Sequence, residues 1–361
     1  MSTTSFGVND AMAKKLWAKQ TITAERDTLE IEPLIGEDEN SIIQEKTDTA
    51  KEGGDKITFS LRTRLAQKGI TEGQKAIGNA EALTHYSDSV IINELGANVG
   101  VKSKNTIDTQ RVPFNLREQA KDGLVEWWTE RKTVSFFNQV CGYTPANTEG
   151  ATSGAVYTGF NTVSAPTATR LVRAAAAASD QAITSNDTFT LQLIDKAVEM
   201  ASTGNNIVRP LKGEHKYVVY LDPAQVTSLR TNTATGSWVD YAKQAMAGGK
   251  IKDNPLYTGA IGEYNSCILR KSQDVSQGVN GSTGAAISTV RRAVLLGCQA
   301  AMLAYGNSKS GGTTYRWSEE MLDHDRELEV SAWAMWGMKK TVFNSVDFGT
   351  ITIASYAARA S

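Results

Sequence analysis

Between Pro113 and Gly142 the apolar positions return every three, four or six residues. Leu116, Ala120, Leu124, Trp127, Val134 and Val140 trace one face, with Arg131 in line among them. That period predicts one long amphipathic helix. Pro113 stands where a first-turn proline is tolerated, and Gly142 where a helix commonly ends. At 1.5 Å per residue the helix runs roughly 40 Å, more than a small domain needs. Adjacent Trp127 and Trp128 point about 100° apart, so the pair loads two faces. Such a helix is a beam along which other elements, or other subunits, can pack.

On the N-terminal side the period changes. Ile57, Phe59 and Leu61 alternate with polar neighbours in KITFSLRTRL, the pattern of a half-buried strand. Val90, Ile91, Ile92 and Leu95 in SDSVIINEL supply a returning strand. A polar stretch punctuated by Gly69, Gly73 and Gly78 lies between them. Two strands joined by a tip of that length predict a protruding hairpin, which is marginal alone and needs a partner to lie on. Residues 1–55 are polar, with Phe6, Leu16, Trp17, Leu29, Ile31, Leu34 and Ile35 as scattered anchors. A short helix is expected over 6–20, with Leu16 and Trp17 on one side. The rest, with Pro33 and the acidic Glu37-Asp38-Glu39, is expected to be extended and to lie across a neighbouring surface.

Beyond the helix, TPANTEGATSGAVYTGFNTVSAPTATR reads as surface loop, followed by the alanine run Ala174 to Ala178. Leu191, Ile194, Val198 and Ala201 predict a helix from Leu191 to Ser202, ended by Gly204. From Tyr217 the pattern is mixed. YVVYLDP reads as a strand stopped by Asp222-Pro223, and AQVTSLR as a short helix, with another from Trp238 to Met246. NSCILRKS and RRAVLLG read as strands, and CQAAMLAYG as a helix packed close by. From Tyr315 on the chain is strand-rich, with Trp317, Trp333, Trp336, Phe343 and Phe348 for bulk. No fixed-period repeat is present.

Charge and composition narrow the function classes. Lys and Arg total 38 against 39 for Asp and Glu, a formal net charge of −1. Dedicated grip on nucleic acid needs a basic excess or stripe, and only short pairs such as Lys14-Lys15, Arg291-Arg292 and Lys339-Lys340 are present. No run is apolar and long enough to span a membrane, and the start lacks a secretion-signal pattern, so production in the cytosol is expected. Cys141, Cys267 and Cys298 have no metal-like spacing and read as small buried hydrophobes in a reduced compartment.

The catalytic inventory is almost empty. The side chains of Asp323, His324 and Asp325 alternate on a strand or spread around a helix, so the triplet reads as a polar turn between strands rather than a metal site. His85 and His215 have no sequence-local partner, and Glu319-Glu320 reads as a solvated pair. There is no GxSxG, GxxxxGK[ST] or GxGxxG. No catalytic, cofactor-binding or metal residue is assigned, no cofactor is expected, and the chain is read as a non-enzyme. Arm, ribbon, beam helix and mixed domain instead favour contacts between subunits.

Several strings make a resemblance specific: VPFNLREQAKDGLVEWWTER at 112–131, KYVVYLDPAQVTSLR at 216–230, NPLYTGAIGEYNSCILRKS at 254–272, VRRAVLLGCQAAMLAYG at 290–306 and WGMKKTVFNSVDFGTITI at 336–353. Together with the order of elements they resemble the major capsid protein of tailed bacteriophages, the Hong Kong 97-type fold, in its N4-like podophage branch. The resemblance implies an α+β chain with an N-terminal arm (1–55) and an extended hairpin loop (56–96). A peripheral domain (97–210 and 330–361) would carry the spine helix 113–142, and a mixed α/β axial domain would span 211–329. It implies self-assembly into hexamers and pentamers of an icosahedral shell around packaged double-stranded DNA, in the virion, after assembly in the bacterial host cytoplasm. Near-neutral charge suits a shell that encloses DNA without holding it irreversibly.

Expected partners are copies of the chain itself, a separate scaffolding protein (the arm is short, with no long helical prefix), a portal and decoration proteins, with no membrane. Phe6, Leu16, Trp17, Phe59, Lys68, Lys75, Trp127 and Trp128 are the expected interface residues. Certain relatives crosslink a loop lysine to a neighbour's asparagine, but no motif match supports Lys68 or Lys75 in that role. Two alternatives stay open: an encapsulin-like nanocompartment shell of the same fold, and a soluble α/β hydrolytic enzyme using Asp323, His324 and Asp325.

Overall fold

In the computed structural model, residues 30–46, 54–62, 65, 68–75, 77–102, 115–144, 160–203, 207–211, 215–232, 262–306 and 314–359 are described. The expected helices over 6–20 and 238–246 lie outside them, as do Pro113 and Gly204.

The long helix, α1, runs Leu116–Val140. Asn115 starts it: its side-chain oxygen accepts the Arg117 N–H at 3.1 Å, satisfying a first-turn donor. Gly142 follows the C-terminus with φ +62°, where a glycine carries no Cβ penalty. The face that α1 buries differs from the expected one. Ala120, Leu124, Trp128, Lys132, Phe136 and Val140, each four residues on, form the buried stripe, while Trp127, Arg131 and Val134 form a half-exposed shoulder. From Ser135 to Val140 every residue is buried, so the beam enters the interior at its C-terminal end.

In chain order the strands are β1 (Ile43–Lys46), β2 (Lys56–Arg62), β3 (His85–Ile91), β4 (Asn93–Lys102) and β5 (Leu171–Arg173). Next come α2 (Leu191–Ser202), β6 (Tyr217–Leu221), α3 (Pro223–Thr231), β7 (Cys267–Lys271), β8 (Ala286–Leu296), β9 (Ala301–Tyr305), β10 (Tyr315–Leu322), β11 (Glu327–Lys340) and β12 (Thr350–Tyr356).

Strand β11 is the axis of the first sheet. One edge pairs with β4 from Glu327↔Lys102 to Trp336↔Asn93; the other pairs with β10 and then β9. Strand β1 adds in parallel to β9, Ala301 opposite Ile43. Helix α1 lies on this sheet through Trp128, whose ring meets Tyr315 edge-on at 4.9 Å and Trp336 at 6.4 Å. The second sheet runs β5-β12-β8-β6-β7. Its central strand β6 is an apolar run buried on both faces, and β8 is buried from Val290 to Leu296, Arg291 and Arg292 included, as expected of strands covered from two sides. Asp222 and Gln225 close a reciprocal capping box at the start of α3. The end of α1 joins the two sheets, with Phe137 packed edge-on against Tyr220 of β6 at 5.3 Å.

Three expectations change. CQAAMLAYG does not form a helix: Ala301–Tyr305 is strand β9, because a five-residue apolar run can be either and the flanking strands β1 and β11 decide. Residues 31–46 pack on this chain itself. Ile31, Leu34, Ile42 and Ile43 are buried in this chain's own core, held by parallel pairing with β9. The division of 97–210 with 330–361 against 211–329 also departs from the sheets. Strands β9 and β10 join the helix-bearing sheet, and β12 closes the other.

The three cysteines are buried. Burial pushes the Cys141 thiol up to about 11 and Cys267 up to about 12, so both stay protonated and weakly nucleophilic. The native chain is expected to resist maleimide at neutral pH and to take three labels once unfolded, read by intact mass. Rapid labelling of the folded chain would contradict the packing.

Candidate assembly surfaces

Strands β2 and β3 pair antiparallel from Lys56↔Ile91 to Arg62↔His85 and project as a two-stranded ribbon. At its root Ile57, Val90 and Ile92 pack on Met302 and Ala304 in a small cluster separate from the two main cores. Phe59 meets Phe343 edge-on at 5.9 Å, and Phe343 meets Phe348 at 5.3 Å. Phe59 is therefore a root contact within the subunit.

Past the root the ribbon's large apolar side chains are not covered by any of the described residues. Among the described residues eight large apolar side chains stand exposed; four of them, Leu65, Ile70, Ile77 and Leu83, lie past the root of the ribbon, and Ile91 stands at the root itself. Ile77 is 93% exposed. Lys68 and Lys75 stand exposed beside them. The tip is braced locally: Asn79 Nδ2 donates to the Lys75 carbonyl at 2.9 Å, and the Gln74 N–H to the Thr71 carbonyl at 3.1 Å. Exposed apolar side chains gathered on one projection are the kind of feature that marks interaction sites.

A smaller surface sits at the far end of the first sheet. Met321 and Leu322 are exposed beside the turn that joins β10 to β11. Asp323, His324 and Asp325 form that turn with φ of +49°, +51° and +65°. They are exposed, and no cluster of three metal-type ligands is present among the described residues. A cleft of about 730 Å³, open to solvent, lies beside α3 and is lined by Glu30, Tyr220, Arg230, Glu263 and Arg270 among others. Glu263 is held by Lys216 at 2.9 Å.

Of the other expected interface residues, Phe6, Leu16 and Trp17 lie outside the described residues. Trp127 is half-buried under the Arg131 guanidinium, 4.9 Å from its ring. Trp128 is wholly buried in its own subunit, so it is a core residue and not an interface one.

Sequence reasoning missed the buried charges of the interior. Asp180, with a fully buried side chain, is clasped by Arg292 at 2.7 Å and Arg173 at 2.8 Å. Arg292 also donates to the carbonyls of Cys141 (3.3 Å) and Gly142 (2.6 Å), placing a cation at the C-terminus of α1 where the helix dipole favours it. Lys340 pairs with Asp347 at 2.8 Å, both buried. Lys132 is enclosed by rings, donating to Tyr305 Oη at 3.0 Å with the Tyr315 ring 5.0 Å away. Each pairing spans at least seven residues of chain, so no local motif announces it.

A family model described as phage capsid protein matches residues 5–359. The major capsid protein of Pseudomonas phage KPP25 is 26% identical over 372 positions, covering 94% of each chain. The capsid of Ralstonia phage GP4 superposes over the whole of both chains with a TM-score of 0.76 at 29% identity. The cyanophage Pam1 capsid asymmetric unit follows the same fold at 21% identity, covering 91% of this chain and 92% of its own, with a TM-score of 0.71.

Proposed function

The chain belongs to the phage capsid protein family, has its Hong Kong 97-type shell fold and serves as a major capsid protein of the virion; from that premise we propose how its parts are used. Copies assemble as hexamers and pentamers of an icosahedral shell around packaged double-stranded DNA, in the host cytoplasm. The first sheet with α1 is the peripheral body, the second sheet the axial body, and the ribbon lies on a neighbouring subunit.

The observation that carries this reading is the ribbon: four large apolar side chains past its root that none of the described residues covers. A second copy of a shell subunit is the surface always available at high local concentration. The near-neutral charge fits a wall that faces DNA without gripping it. A separate scaffolding protein, a portal and decoration proteins are proposed as further partners on the strength of the family alone.

The test is assembly of the expressed full chain, with and without its neighbouring phage genes, followed by sedimentation and electron microscopy. Closed shells or capsomers are expected. A chain that stays monomeric under every assembly condition, including with the phage's own scaffolding protein, overturns the reading.

A further inference from the structure

The ribbon leaves the subunit at one bend. Asn93 is the first residue of β4 in register with β11, and Ile91 the last of β3 in register with β2. The chain changes ladders across Ile92, whose N–H still turns toward the ribbon and donates to the Asp55 carbonyl at 2.8 Å. Successive residues of a strand aim their backbone groups to opposite sides, so Ile91 aims its own pair away from β2, beyond the last β4–β11 rung.

Asn161 meets that pair. Its Oδ1 accepts the Ile91 N–H at 2.9 Å and its Nδ2 donates to the Ile91 carbonyl at 3.0 Å. One side-chain amide thereby stands in for a residue of a partner strand. Asn161 is buried, and its own carbonyl accepts from Gln139 Nε2 at 2.8 Å. Gln139 Oε1 in turn accepts the Lys340 N–H at 3.3 Å, so the last turn of α1, the Asn161 segment and the end of β11 are tied together.

A second tie sits three residues along the ribbon. Asp88 Oδ2 accepts the Val342 N–H at 3.1 Å, and Asp88 Oδ1 pairs with the Lys339 ammonium. Gly337 completes the seat, because a Cβ there would run into the Ile91 carbonyl. The apolar cluster beneath is small, comprising Ile57, Val90, Ile92, Met302 and Ala304 with Phe59 and Met335 against it. Apolar contact is non-directional, whereas paired hydrogen bonds fix an angle.

We propose that Asn161 and Asp88 are positioning residues for shell assembly, two latches that set the angle at which the ribbon leaves the subunit, with Gln139 tying that angle to the end of α1. The leverage is large: seven paired residues extend about 23 Å, so a 10° change at the root moves the far end by about 4 Å. A displacement of that size takes an apolar strip off its landing surface. The inference rests on the capsid reading above.

The test separates the latch from assembly. In dilute, unassembled full-length chain, Lys75→Cys and Glu320→Cys carry spin labels; the native cysteines are buried and stay unlabelled. Pulsed electron–electron resonance then reads the spread of ribbon positions. The parent is expected to give one narrow distance distribution. Asn161→Ala, which removes two hydrogen bonds, is expected to raise the unlatched fraction about tenfold and broaden it. Asn161→Asp, which keeps only the acceptor for the Ile91 N–H, should fall between, and Asp88→Asn should broaden it independently.

Each variant, without the labels, should keep an unfolding midpoint near the parent's yet yield shells of mixed size and open sheets. If Asn161→Ala does not fold, Asn161→Asp and Asp88→Asn carry the same test. A distribution as narrow as the parent's in these variants overturns the latch. A broadened ribbon with uniform shells overturns its role in assembly. Failure of the parent itself to assemble strikes the capsid reading and leaves the measured latch standing.

Discussion

Replacing Arg292 with methionine is expected to destabilise the subunit by about 3–5 kcal/mol at neutral pH, the cost of removing one partner from a buried ion pair. Arg292 makes two contacts to Asp180 Oδ2, at 2.7 and 2.8 Å, and caps the end of α1 through the Cys141 and Gly142 carbonyls. Methionine fills much of the volume and supplies none of these. Asp180 is left fully buried with Arg173 as its remaining cationic partner among the described residues and the long Val279 N–H contact at 3.4 Å.

The pH dependence identifies the cause. Burial pushes the Asp180 carboxyl up, but the pull of Arg292 and Arg173 is larger and holds it below its ordinary value. A depressed carboxyl contributes stability above its unfolded pKa of about 3.9 and loses it as pH falls through the folded value. The gap between parent and Arg292→Met should therefore be widest near pH 7 and narrow progressively below about pH 4. Denaturant titrations at the two ends of that range check it. Asp180→Asn in the Arg292→Met background should recover part of the loss, since it removes the stranded charge. A gap constant with pH would mean that Arg292 acts through packing alone.

How far this architecture could be read from the chain depends on how local its causes are. The outgoing ribbon strand was legible because Ile57, Phe59 and Leu61 alternate in a seven-residue window, and β2 follows that alternation. The returning one was not bounded, since SDSVIINEL divides at Ile92 between β3 of the ribbon and β4 of the first sheet, where Leu95 faces Ala334. Strand β6 and helix α3 were legible because Asp222-Pro223 ends one and starts the other within two residues. Helix α1 was legible as an element, but its buried face was not. Spacings of three and four both fit a helix, and only the sheet underneath chooses Trp128 over Trp127.

What stayed hidden depends on distant partners. Strand β9 is settled by β1, more than 250 residues away, and the same pairing draws Ile42 and Ile43 into the core despite the acidic Glu37-Asp38-Glu39 before them. Asn161 sits in a Thr-, Ser- and Gly-rich stretch that reads as loop, and its role appears only where it meets Ile91, 70 residues upstream. Lys132 looks like a solvated helix residue until Tyr305 and Tyr315 close around it. The exposed ribbon was legible as a projection, yet the surface proposed to receive it lies on another copy and leaves no trace in the chain's local pattern.

Replacing residues 68–79 with a short Gly-Ser linker is expected to separate folding from assembly. Lys68–Lys75 and Ile77–Asn79 are all exposed, and their hydrogen bonds stay within the tip. Removing them takes nothing from either core, so the unfolding midpoint should stay within a few degrees of the parent's. Assembly should suffer strongly. The deletion removes Ile70 and Ile77, and each isoleucine buried on a neighbour contributes about 1.5–3 kcal/mol. Even the low end, about 3 kcal/mol for the pair, weakens each ribbon contact by roughly a hundredfold. Every subunit both lends a ribbon and receives one in the proposed shell, so the loss repeats at every contact and compounds through a closed particle. Sedimentation should show subunits or capsomers where the parent gives shells. A narrower change, Ile77→Ser, should reproduce part of the defect without touching the chain length. Full shell yield from the deletion would mean that the tip's apolar side chains face solvent in the particle, and that the contacts between subunits lie elsewhere, with the Met321–Leu322 end of the first sheet next in line.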